Sequence, residues 1–198
     1  MIKRSPLRNK ILSAVFAFLS FCALSYAQQP FVERIVDGDT FKLSNGERVR
    51  LIGVDTPESK ANAKAKRDSQ RSQQDVKAIT AMGKKAAKYL DWLMGLGLSV
   101  RMEFDVQKKD RYGRLLAYVF LVDNSGQGRQ ILPDADPFTP GAENFTPVYA
   151  DDAIFVNATL IKAGYASPMT VPPNVRHADL FKELYREARE QKRGLWKE

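Results

Sequence analysis

Cysteine is nearly absent from this 198-residue chain: Cys22 stands alone, inside an apolar N-terminal stretch. If that stretch is removed, disulfides, thiolate metal sites and cysteine nucleophiles are excluded together. Histidine is as scarce, with only His177. A single histidine without a partner motif reads as a residue at the start of the last helix rather than as a catalyst. There is no internal repeat. The one long apolar run, from Ile11 to about Leu24, falls short of the roughly 20 residues of a membrane-spanning helix.

That run has a different reading. Lys3, Arg4, Arg8 and Lys10 form a basic start, the apolar run follows, and Ser25-Tyr26-Ala27 places small residues where a signal peptidase reads. This is the three-part pattern of a secretory signal, with an uncleaved anchor as the alternative. We expect a leader at residues 1–27, a single domain at 28–198, and a secreted or periplasmic location without stable membrane association. Cleavage after Ala27 would lower the formal charge from +8 to +4, so part of the basic excess belongs to targeting. The remaining length is enough for one domain with its own core.

Phe31 to Val36, Thr40 to Ser44 and Glu47 to Val54 read as three strands, with Asn45-Gly46 as a two-residue hairpin turn. A turn centred there sets Phe41 opposite Arg50 and Asp39 opposite Ile52. Asp39 and Arg50 then become diagonal neighbours on one face, roughly 7–8 Å apart, unless a bulge changes the parity. Ser59 to Asp75 is polar and reads as a mobile loop. Val76 to Met94 has helical spacing and a stop at Gly95. Leu98 to Val106 and Leu115 to Val122 read as two more strands. Ile154 to Ala163 and Ala178 to Gln191 read as helices, and Trp196 as a C-terminal anchor in the core. Before these helices, at about residues 124–152, lies a proline-containing stretch without periodicity and with a charge of −4, expected to screen the site or dock a partner. Five strands with a helix between the third and fourth match the oligonucleotide-binding barrel. The expected class is α+β: a five-stranded OB-fold β-barrel with three helices.

The chemistry concentrates in three segments. Asp39, Asp55 and Glu58 offer carboxylates on converging loops, suited to a hard cation such as calcium. Taken singly, each aspartate also fits plain turn chemistry. Glu58, after Pro57, can orient a water or accept its proton, or be a surface glutamate. Arg50 lies within an apolar strand, and Arg114 follows Tyr112-Gly113 at a bend. Guanidinium forks hold phosphate oxygens and stay charged at any working pH. A structural ion pair for Arg50 and a solvated loop position for Arg114 are the plainer readings. Tyr112 and Tyr118 can stack on a base or pack the body of the domain. Lys108, Lys109 and Arg111 can attract a polyanion or form a solvated loop.

These segments resemble the staphylococcal nuclease-type thermonucleases. The matching residues are Val36-Asp37-Gly38-Asp39-Thr40, Arg50-Leu51 through Val54-Asp55-Thr56-Pro57-Glu58, and Lys109-Asp110-Arg111-Tyr112-Gly113-Arg114 with Leu116-Ala117-Tyr118. Val156-Asn157, Gly164-Tyr165-Ala166 and Arg193-Gly194-Leu195-Trp196 extend the match. The resemblance implies that Asp39, Asp55 and the Thr56 carbonyl bind Ca2+. It implies that Glu58 is the base or water-orienting group, and that Arg50 and Arg114 clamp the scissile phosphate. Lys109, Arg111 and Tyr112 are then expected to touch substrate. The implied activity is hydrolysis of DNA and RNA to 3′-phosphate ends by a monomer. The acidic stretch departs from the family pattern, and the tyrosines expected after the second helix are missing from Ser167 to Val175. A non-catalytic nucleic-acid-binding or interaction module of the same fold is the alternative.

Overall fold

The computed structural model describes residues 30–95, 99–123 and 145–197. The expected leader and residues 124–144 of the acidic stretch lie outside that range.

Strands β1 (Val32–Asp37), β2 (Thr40–Leu43) and β3 (Arg48–Leu51) form an antiparallel meander. The hairpin register differs from the expected one. Thr40, not Phe41, lies opposite Arg50, and Phe41 faces Val49. The cause is a three-residue loop: Leu43 N–H donates to the Glu47 carbonyl at 2.8 Å, and Gly46 N–H to the Leu43 carbonyl at 2.9 Å. Gly46 takes a φ of 89°, the left-handed residue that a loop of this length requires. One extra residue in the loop shifts the parity of every pair behind it.

The expected third strand is also interrupted. Gly53, at φ 75°, bends the chain, and Val54–Asp55 continues as β4 in a separate two-stranded sheet with β9 (Ser167–Pro168). The Phe181 ring lies where a Gly53 side chain would sit. The bend is what turns Asp55 out of the main sheet. Ser59 to Asp75 is not a loop: Ala63–Ser72 is helix α1. Asn62 caps it, its side chain accepting from Ala65 N–H at 2.9 Å. Only Ala65 is buried, so no apolar stripe marks this helix in the sequence. Its alanines, lysines, arginines and glutamine are nonetheless good helix formers.

Helix α2 (Val76–Met94) follows, capped by Asp75 and ended at Gly95. Its buried Ile79, Ala86, Tyr89, Leu90 and Leu93 sit on one face. Strands β5 (Ser99–Glu103) and β6 (Leu115–Val122) come next. β6 pairs in parallel with β3, and antiparallel with β5 and with β8 (Ala153–Phe155). The parallel step is possible because two helices and the strands β4 and β5 separate β3 from β6. The end of the acidic stretch is ordered as well: Tyr149–Ala150 forms β7 beside β8. Helix α3 (Val156–Lys162) starts two residues later than expected, since Ile154 and Phe155 belong to β8. Helix α4 (Ala178–Glu190) buries Phe181, Leu184 and Ala188. Trp196 lies edge-on against Tyr185, with ring centroids 5.4 Å apart, and is half-buried over α4 instead of entering the core.

The architecture is OB-fold-like α+β, with two corrections. Among the described residues the main sheet runs β1-β2-β3-β6-β8-β7 as an open path, not a closed barrel, and there are four α-helices rather than three.

Asn157 ties the layers together. It is fully buried; its Nδ2 donates to the carbonyls of Ile52 (2.9 Å) and Ala117 (3.3 Å), and its Oδ1 accepts from Val119 N–H (2.9 Å). Asn157→Ala removes the side-chain partner of the Ile52 carbonyl and of Val119 N–H, and one of the two donors to the Ala117 carbonyl. We expect a loss of roughly 2–4 kcal/mol, read as a shift in the denaturant midpoint.

Candidate active site

The site begins at the β1–β2 turn. Asp39, only 3% exposed, accepts from Thr40 Oγ1 (2.8 Å) on one oxygen and from Thr56 N–H and Oγ1 (3.3 Å each) on the other. Leu51 N–H donates to its carbonyl at 2.9 Å. These contacts join the turn to the segment after β4, so residues 39 and 55–58 are held side by side.

Arg50 reaches across them. Its Nη1 lies 2.6 Å from Asp39 Oδ1, and its Nη2 lies 3.4 Å from Asp55 Oδ1 and 3.3 Å from the Val54 carbonyl. An arginine in an apolar strand needs such partners to offset its desolvation. The same side chain lines a cavity of about 420 Å³ together with Arg114, Asp110, Arg111 and Tyr112. Both arginines therefore contribute to the lining of one cavity.

Arg114 is aimed by Asp110. Asp110 Oδ1 accepts from the N–H groups of Tyr112 (2.8 Å) and Arg114 (3.0 Å), while Oδ2 takes Arg114 Nε at 2.7 Å. Gly113, at φ 78°, completes the turn. Burial alone pushes the Asp110 carboxyl up, but the hydrogen bonds from Arg114 and Tyr112 outweigh it and hold the pKa below the usual value. Because the folded pKa is lowered, this stabilisation is present at neutral pH. It is lost only as pH falls through the acidic range below the ordinary aspartate value.

Glu58 sits on a loop pinned from two sides. Asp37 Oδ1 accepts from Ser59 N–H at 3.2 Å and from Gly38 N–H at 3.1 Å. Burial, then the Glu58 charge, push the Asp37 pKa up. From behind, Gly83 of α2 packs so closely that a methyl there would collide with the Glu58 backbone. Glu58 itself accepts from Asn62 Nδ2 at 2.6 Å and pairs with Lys64 Nζ at 3.3 Å.

Lys64 also donates to Asp55 Oδ1 (3.0 Å) and to the Thr56 carbonyl (2.8 Å). Its burial lowers its pKa, but the charges of Asp55, Glu58 and Asp39 outweigh that and raise it. Oxygens of Asp55, Thr56 and Glu58 thus converge on one positive charge. All are hard donors, so the set suits a hard cation such as calcium. Among the described residues no three His, Cys, Asp or Glu side chains form a metal-holding group by themselves. A metal here would need the Thr56 carbonyl and water as well.

The expected substrate contacts divide. Arg111 and Tyr112 line the 420 Å³ cavity, with Arg111 donating to Tyr112 Oη at 2.7 Å. Lys109 is not among its lining residues and pairs with Glu47 at 3.4 Å. Tyr118 is buried, donating to Asp105 Oδ2 at 3.1 Å. Burial, then the charge of Asp105, push it up to about 12. It packs the core and offers no face to a base. His177 stands at the start of α4 with its ring 4.6 Å from that of Tyr118. The cavity wall carries Met169, Val171 and Asn174, on the segment without tyrosines. Sequence reasoning missed Asp37, Asn62 and Lys64 as site residues, and named Asp110 only as part of its loop. The Asp110-x-Tyr112-Gly113-Arg114 turn pattern was the available signal for Asp110; nothing flagged Lys64 without the helix that carries it.

The family model described as staphylococcal nuclease homologue matches residues 48–134 and 140–198. The chain is 31% identical over 169 residues to the thermonuclease of Staphylococcus intermedius, covering 83% of this chain and 74% of that protein. It is 30% identical over 170 residues to endonuclease YncB of Bacillus subtilis, covering 83% of this chain and 60% of that one. An uncharacterized endonuclease of Escherichia coli is 27% identical over 185 residues, covering 92% and 84%.

Proposed function

The chain belongs to the staphylococcal nuclease homologue family, and from that premise we propose that it is a calcium-dependent nuclease cutting DNA and RNA to leave 3′-phosphate ends. The observation that carries this reading is Arg50, held between Asp39 and Asp55 and lining the same cavity as Arg114. An anionic phosphate fits between two guanidinium groups. A structural ion pair alone does not require a second arginine lining the same cavity.

In this reading Arg50 and Arg114 bind the non-bridging oxygens and stabilise the charge that builds at phosphorus. Glu58 takes a proton from the attacking water. The water oxygen bonds to phosphorus in line with the bond to the 5′-oxygen, which breaks; the 5′-oxygen takes a proton from solvent and leaves as the 5′-hydroxyl. The phosphate stays on the 3′-oxygen of the other fragment. Asp39, Asp55 and the Thr56 carbonyl are the residues that would hold calcium, whose positive charge would neutralise phosphate oxygens when bound. Export rests on the basic start, apolar run and small-residue site of residues 1–27. Among the described residues no helix is long and apolar enough to cross a membrane. We take the nuclease to act as a monomer.

A plasmid digest tests the proposal. Cleavage in millimolar calcium that stops on addition of a chelator is the expected result. Binding without cleavage would favour the non-catalytic module, and chelator-resistant cleavage would remove calcium from the account.

A further inference from the structure

Lys64 has a role that helix formation does not explain. It lies in the first turn of α1, a turn that holds no acidic residue. A cation there faces the positive end of the helix dipole. Local energetics therefore disfavour it, and its partners lie outside the helix. Its ammonium group donates to Asp55 Oδ1 and the Thr56 carbonyl and forms an ion pair with Glu58 Oε1. Asp39 and Asp55 are already bridged by Arg50, so the ammonium is the second positive charge in a cluster of three carboxylates. Without it Asp55 and Glu58 would face each other with less compensation.

Two of those three oxygens belong to residues that the proposed function assigns to calcium. We propose that Lys64 is a tethered counter-ion occupying the place of the divalent cation, so that calcium enters by displacing its ammonium group from Asp55, Thr56 and Glu58. The inference rests on the calcium reading and deepens it. An ammonium group and a divalent ion cannot share the same oxygens without strong repulsion at contact distance. The tethered charge keeps the carboxylates assembled before metal arrives, and it weakens apparent affinity by the fraction of time it holds the site. Exchange also releases Glu58 from its ion pair, which couples metal entry to freeing the proposed base.

The test is calcium binding by titration calorimetry, with calcium-free and calcium-saturated melting as a second readout. Lys64→Met should bind calcium about tenfold tighter or more, as expected if the ammonium occupies the site over nine-tenths of the time. Lys64→Arg keeps the charge and should not tighten binding. Lys66→Met removes the same charge from an exposed position on the same helix and should change affinity by no more than about twofold. The calcium-free Lys64→Met protein should melt below wild type, and saturating calcium should close the gap. Should Lys64→Met fold poorly, Lys64→Gln repeats the comparison. Equal affinity of Lys64→Met and wild type overturns the exchange and leaves the calcium reading standing. Equal tightening by Lys66→Met reduces the effect to net charge and also overturns it. If neither wild type nor Lys64→Met binds calcium, the calcium reading itself fails, and the exchange with it.

Discussion

Replacing Arg114 with alanine is expected to lower turnover roughly a thousandfold, as for the loss of a transition-state guanidinium or oxyanion donor. The expectation follows from how Arg114 is held. Asp110 fixes both its backbone and its Nε, which leaves Nη1 and Nη2 available at the wall of the cavity shared with Arg50. Folding should change little, because a partly exposed pair of this kind contributes about 1 kcal/mol or less. Lysine at position 114 should not restore the rate, since an ammonium cannot reproduce the two-pronged contact. Single-turnover rates on a defined oligonucleotide, with the melting temperature as a control, check this. A rate within tenfold of wild type would remove Arg114 from the phosphate.

Glu58→Gln is expected to cost roughly 10²- to 10⁴-fold in turnover, the usual range for a positioned base. Glutamine preserves the shape and can still accept from Asn62, so the loop should hold its place between Ser59 and Gly83. Substrate affinity should change far less than turnover, because the lost function is proton acceptance rather than binding. Measuring kcat and KM separately distinguishes the cases. A rise in KM with an unchanged kcat would make Glu58 a binding residue and leave the water without an assigned base.

Much of this site was legible in the sequence because it is built from strand ends and tight turns, where a few residues determine the backbone. The Asp37-Gly38-Asp39 turn, the Asp55-Thr56-Pro57-Glu58 segment and the Tyr112-Gly113-Arg114 bend all carry their own turn chemistry. The long helix α2 was legible from its apolar spacing and its Gly95 stop. What escaped depended on context. The hairpin register turned on one residue of loop length, which Asn45-Gly46 does not settle. Helix α1 has no apolar stripe, since it buries only Ala65 and faces the carboxylate cluster through Lys64. A polar helix of that kind reads as a loop. The Gly53 bend takes β4 out of the main sheet to pair with β9. A ring packed on a glycine from 128 residues away leaves no local mark.

The most direct test of the central claim is the chemistry of the ends left on a labelled oligonucleotide after digestion in calcium. The account predicts fragments that a polymerase cannot extend until a phosphatase has removed a 3′-phosphate. Fragments extendable without phosphatase treatment would mean that the bond on the other side of phosphorus is the one cut. An intact oligonucleotide bound by folded protein would mean that the site holds a phosphate without cleaving it.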